Sequence, residues 1–191
     1  MTKITIQHGK LLEPFFNFYV QNSSDVKGSG WKEWVPPDKE EIEKRIKAYK
    51  DIWTKYEERI LNGICSALDL SFDEEDIDVY IVAGVNRSMS NPIIIKSGYS
   101  PESFIVALSH ELSHRIFKGK DFKFDKILLN KTNNKNINDH ILVYSVLRKI
   151  FENEPKMIKI IADIKYNEDY KKAYKLSEQY EDILKFFRDK K

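Results

Sequence analysis

Ile42, Ile46, Tyr49, Trp53, Tyr56, Ile60, Ile64 and Leu68 recur at steps of three and four residues. That spacing lines them along one face of an α-helix, and so continuous an apolar face must be covered by the rest of the fold. Pro36-Pro37-Asp38 marks the start. Asp38 serves as N-cap, and Glu41, three residues on, completes a capping-box pattern. The stripe is read as core; a partner-binding groove is the other use of such a face.

The segments around this helix are shorter. Residues 3–22 mix strand-like character (Lys3-Ile4-Thr5-Ile6) with an aromatic run (Phe15 to Val20), and no single period covers them. Asn22 to Trp31 is polar and glycine-containing and reads as a loop. Ile77 to Ala83 is rich in β-branched residues and predicts a strand. Gly84 to Asn91 is turn-like, and Pro92 to Lys96 predicts a second short strand with proline at its tolerated first position. Ser100 is a good N-cap and Pro101 suits the first helical position, so a helix begins there. It is expected to end near Lys118, with Gly119 as its stop. Residues 119–137 read as a long mobile connection with a weakly apolar patch at Ile127-Leu128-Leu129. Asn138-Asp139 can cap the next helix, whose apolar set is Ile141, Leu142, Val146, Leu147, Ile150 and Phe151. Pro155 interrupts it. A short apolar helix (Met157 to Ile164) and a final amphipathic one (about Glu168 to Arg188) complete the chain. The fold class is therefore α+β, mostly helical, with a small sheet before the Ser100 helix. At 191 residues one domain, 1–191, is expected, long enough to bury a core.

Composition narrows the class of function. Hydrophobic residues make up 41% and charged residues 32%, as in an ordinary globular protein. A net charge of +2 gives no field to recruit nucleic acid or anionic lipid, so neither is an expected partner. Arg188 to Lys191 reads as a solvated helix terminus. The single cysteine, Cys65, permits no intrachain disulfide and reads as a buried thiol among Ile64, Ala67 and Leu68. Met1 to Val20 lacks the basic start and apolar run of a signal peptide, and no stretch approaches the roughly 18 apolar residues of a membrane span. A soluble, cytoplasmic protein is the expectation.

Within the Ser100 helix stands His110-Glu111-Leu112-Ser113-His114, an H-E-x-x-H pattern. Residues at i and i+4 share a helix face, so both imidazoles can bind one zinc ion while the Glu111 carboxylate lies beside the reacting water. A catalytic zinc usually takes three protein ligands. Of the two remaining histidines, His8 is far away in sequence, and His140 lies 26 residues beyond His114, with ample chain to fold back. His140 is the candidate third ligand, with Asp139 or Glu152 as alternatives. The loop between His114 and His140 can double as a lid over substrate. One Zn2+ per chain is expected, with Glu111 as general base and then acid. A developing oxyanion needs a donor. Tyr144, one turn after His140, is the first choice; Arg148, a turn further, and Tyr99, just before the motif helix, are the others. Each of these three side chains has a plain packing or surface role as its competing explanation.

The order of strand, short strand, H-E-x-x-H helix, long connection and second helix resembles the zincin superfamily of metallopeptidases, and within it a small gluzincin. The resemblance spans residues 77–151 and rests on His110, Glu111 and His114. It implies two antiparallel helices, peptide-bond hydrolysis on a peptide or protein substrate, and an edge strand, Pro92 to Lys96, that holds substrate extended. The gluzincin third ligand is a glutamate, whereas His140 is the residue in place here. A histidine there resembles the SprT-like proteins, but their His-Gly pattern is absent at His140-Ile141. The metzincin extension is excluded by Phe117 and Lys120.

Three other functions compete. A non-catalytic zinc protein would have no need of Glu111. A di-iron bundle needs a second E-x-x-H, which the chain lacks, and strands 77–96 do not suit it. An interaction module built on the helix at 38–69, with an incidental motif, is the third. The reading favoured is a zinc-dependent metallopeptidase.

Overall fold

The computed structural model describes residues 2–22, 34–118, 120, 132, 134–163 and 168–190. The Asn22–Trp31 loop beyond Asn22, the Gly119 stop, most of the 119–137 connection with its Ile127-Leu128-Leu129 patch, Ile164 and Lys191 lie outside the described residues. The protein is α+β, with a small mixed sheet. Its elements are β1 (Lys3–His8), α1 (Glu13–Asn22), α2 (Lys39–Leu68), β2 (Asp76–Val82), β3 (Met89–Ser90), β4 (Ile93–Lys96), α3 (Pro101–Arg115), α4 (Lys135–Ile150), α5 (Pro155–Ala162), α6 (Glu168–Leu176), a 3₁₀ turn (Ser177–Gln179) and α7 (Tyr180–Lys190). They form two compact units, Met1–Tyr56 with Glu74–Glu111, and Glu57–Asp73 with Leu112–Lys191. Both α2 and α3 run on from one into the other. Among the described residues, no helix is long and apolar enough to cross a membrane.

The first unit contains the sheet, in the order β1-β2-β4-β3. β1, β2 and β4 are parallel, in registers that pair Ile4 with Ile77 and Tyr80 with Ile94, and β3 is antiparallel to β4. The ambiguous segment 3–22 thus resolves into an edge strand and a helix. Pro92–Lys96 is not the sheet edge that the resemblance implied. Met89 and Ser90, read from sequence as turn, pair with Ile94 and Ile93 and cover that side. Gly84 (φ +74) allows α1 to come close, because a side chain there would meet the Asn17 carboxamide oxygen at 2.6 Å.

The predicted stripe on α2 is buried at Ile42, Ile46, Tyr49, Trp53, Ile60, Ile64 and Leu68. Asp38 caps the helix as expected, accepting from the Glu41 amide at 2.8 Å, but the Glu41 carboxylate turns to Arg45 (2.7 Å) rather than closing a capping box. The C-terminus is a Schellman motif. Asp69 takes a positive φ of 51, and the Leu70 amide donates to the Cys65 carbonyl at 3.1 Å. Cys65 is half-buried rather than buried, and burial raises its thiol pKa. In the second unit Arg188 is no free tail, since it donates to the Ala67 carbonyl (2.8 Å) at this helix end, where a cation is favoured.

Tyr49 fastens α2 to the β4–α3 connection. Its hydroxyl lies 2.7 Å from the carbonyls of both Ser97 and Tyr99, and its ring stacks on Phe104 at 4.3 Å. Burial pushes its pKa from 10.0 up to about 12, partly opposed by Arg45. A raised pKa means that the stability contributed by the neutral phenol is complete below pH 10 and is lost as pH rises toward 12. Tyr49→Phe is expected to lower stability by about 1–2 kcal/mol at neutral pH. It should also shrink the further loss between pH 10 and 12, measured by denaturant titration at a series of pH values.

Candidate metal centre

α3 is buried on nearly every side. Phe104, Ile105, Leu108, Leu112 and Ile116 are all within the core, so the polar residues between them are carried out of water as well. Ser100 caps the helix as predicted, its hydroxyl accepting from the Ser103 amide at 3.1 Å. The helix closes at Arg115, three residues short of expectation, because the chain tightens. The Phe117 and Lys118 amides turn to the His114 and Arg115 carbonyls.

α4 is buried over most of its length from Ile137 on, including every member of the predicted apolar set. It starts earlier than Asn138-Asp139. Asn134 is the N-cap, accepting from the Ile137 amide at 3.3 Å. Asn138 holds the incoming chain instead, exchanging hydrogen bonds with Thr132 at 2.9 and 3.0 Å. His140 therefore lies in the second turn of α4 rather than at its start.

The potential ligand atoms of His110, His114 and His140 all lie within 4.8 Å of one another. The His114 and His140 rings meet edge to face at 4.9 Å. The Asn136 carbonyl can only accept, so the 2.7 Å contact from His140 fixes the proton on Nδ1 and leaves Nε2 with its lone pair. Burial lowers the His140 pKa, and it pushes His114 down to about 3, with His140 adding to the shift. Both imidazoles are thus neutral, the form that binds metal. A tetrahedral zinc with bonds of about 2.0–2.1 Å puts its donors about 3.4 Å apart, so this donor set fits the ion with a modest inward shift of side chains.

Glu111, on the same turn, is only 8% exposed, and burial pushes its carboxyl up to about 8. Asp139 is not in the metal-capable group. Glu152 lies past the end of α4, exposed, with Lys149 (3.2 Å) and Tyr180 (3.1 Å) on its carboxylate, and is about 18 Å along the chain axis from His140 by helical rise. His8 pairs with Glu13 at 2.8 Å and belongs to the sheet.

Of the proposed oxyanion donors, Tyr144 is near His140 (ring centroids 6.2 Å apart) but fully buried, which raises its pKa, with Tyr170 adding to the effect. Arg148 is engaged elsewhere. It donates to the Ser177 hydroxyl (3.0 Å) and the Tyr174 carbonyl (3.2 Å) and stacks over the Tyr174 ring at 4.0 Å. Tyr99 lies just before the start of α3, and the helix from Pro101 to His110 rises about 14 Å between them. One residue that sequence reasoning missed is Tyr170 of α6, whose ring lies 4.3 Å from that of His140. Its neighbour Asp169 accepts from Asn134 and Asn136 at 3.0 and 3.3 Å. No spacing signal links residue 170 to residue 140.

Searched against family models, curated proteins and solved structures, the chain matches none of them.

Burial of Glu111 has a measurable sign in the metal-free protein. Its folded pKa of about 8 is above the ordinary 4.5, so the stability it gives is complete below 4.5 and lost as pH rises through 8. The depressed His114 works in the other direction and is fully favourable above 6.5. Between pH 6.5 and 8 the Glu111 effect stands alone of the two. The thermal midpoint of metal-stripped protein should fall across that window, and Glu111→Gln should flatten the fall.

Proposed function

We propose that this chain is a zinc-dependent metallohydrolase acting on peptide bonds. The observation that carries the proposal is the convergence of three imidazoles, His114 and His140 held neutral by burial, with His110 and His114 flanking a buried carboxylate in H-E-x-x-H. Zinc supplies two things to such a site: it acidifies water and polarises a carbonyl oxygen. His110, His114 and His140 would hold the ion. Glu111 would take the proton of the attacking water and hand it to the leaving amine. The Asn136 carbonyl keeps the His140 tautomer that ligation requires, and Tyr170 packs on its ring. The choice of peptide bonds over other amides comes from the resemblance to zincins, as does the assignment to that superfamily. Among the oxyanion donors considered, Tyr144 is retained by position. It would need to gain access to substrate from its buried place.

Elemental mass spectrometry on the wild type is expected to find about one zinc per chain after zinc is supplied, and His140→Ala should lose or greatly weaken it. A wild type that takes up no zinc would sink the proposal. In a peptide library read by mass spectrometry, Glu111→Gln should retain zinc while its hydrolysis rate drops by about 100-fold or more. Equal hydrolysis by wild type and Glu111→Gln would remove Glu111 from the chemistry. Zinc without any hydrolysis would leave a non-catalytic zinc protein.

A further inference from the structure

α1 is apolar on two sides, and the first unit covers one of them. Leu12, Phe16 and Val20 face inward, where Leu12 and Phe16 pack against Val82, Val85 and Ile94. Leu11, Phe15, Phe18 and Tyr19 face outward, with 95%, 70%, 68% and 45% of their surface exposed. Phe15 meets Phe16 edge to face at 5.7 Å and otherwise projects outward from the helix. A helix that is hydrophobic all round belongs in a core. A monomer leaves half of this one in water.

We infer that α1 is the centre of a homodimer interface, in which a second copy of this chain lays the same stripe against it about a two-fold axis. Three observations select that occupant. First, the exposed large hydrophobic residues among those described are these four and Val35, so the stripe is the complementary apolar surface that the described residues offer. Second, α1 itself carries no charge on this face to steer or repel a partner, and Lys10, exposed beside Leu11, precedes the helix. Glu13, the one charged residue of α1, turns inward to His8 and to the Ala83 amide at 3.0 Å. A membrane-binding helix would instead carry basic residues beside its apolar face, and α1 has none. Third, the area suffices. The three aromatic side chains, of about 150–250 Å² each at these exposures, together with Leu11, present on the order of 500 Å² per copy. Two copies then bury about 1,000 Å², where specific interfaces begin. An isologous contact suits this stripe, because 15, 18 and 19 share one face of α1, with Leu11 just before it, and antiparallel copies can interdigitate.

Sedimentation velocity on the full chain, from about 1 to 100 µM, tests this. The wild type is expected to shift from monomer to dimer within that range. Phe15→Asp with Phe18→Asp, which leaves the inward face intact, should weaken dimerisation at least about 100-fold without changing the far-ultraviolet dichroism. Leu11→Glu, at a side chain that touches almost nothing in the monomer, provides the same readout if the double variant fails to fold. A wild type that stays monomeric at 100 µM overturns the inference, as does a dimer that survives either folded variant. Flotation of a monomeric wild type with phosphatidylcholine vesicles, lost in the variants, would give the face to a membrane instead and overturn it too.

Discussion

Desolvation is the constraint on which the candidate centre depends. α3 is largely a core helix, so a polar side chain on its buried faces, such as Glu111, must give up water. Glu111 cannot keep its charge cheaply in such a place, and His114 cannot take one. The groups around them fit that condition. His140 has its proton position set by a backbone carbonyl, and the Tyr170 ring lies against it. Neutral His114 and His140 beside a protonated Glu111 carboxyl form a coherent metal-free state. A divalent cation would reverse the terms, since it restores a reason for the carboxylate to be charged.

Holding His140 in place is a second task, and α4 meets it through polar contacts at both ends. At its start Asn134, Thr132 and Asn138 fix the entering chain, and Asp169 of α6 ties into the same group. In its last turn Arg148 locks onto Tyr174 and Ser177. That clasp also explains why residues 168–188 are two helices and not one. Ser177 is buried, bonded to the Tyr174 carbonyl at 2.7 Å and to Arg148, and the chain passes through a 3₁₀ turn there. Arg148 thus serves the geometry of the helix that carries His140, at a distance from the ligand atoms.

Much of the fold was legible because its signals are local. The three- and four-residue stripe of α2, the β-branched run of β2 and the Ser100-Pro101 start of α3 all appear where they were read. The failures have physical reasons. Segment 13–22 showed no period because α1 carries apolar side chains both inward and outward. β3 is two residues long and exists only by pairing with β4. The start of α4 offered several asparagines in a row, each a competent cap. Contacts to Thr132 and Asp169, distant in the latter case by more than thirty residues, gave the cap to Asn134 and another task to Asn138.

The same division runs through the site. His110, Glu111 and His114 share one turn of helix, and helical geometry alone sets where they stand relative to one another. The sequence therefore determined that pair of imidazoles and the carboxylate between them. His140 could be nominated from the scarcity of histidines, but its approach to within 4.8 Å depends on how α4 packs. Tyr170 beside it, the removal of Glu152 and Arg148 to other partners, and the depth of Glu111 are likewise products of packing. A chain's periodicity fixes directions within one element. Distances between elements, and the water that remains around a charge, are settled only when those elements meet.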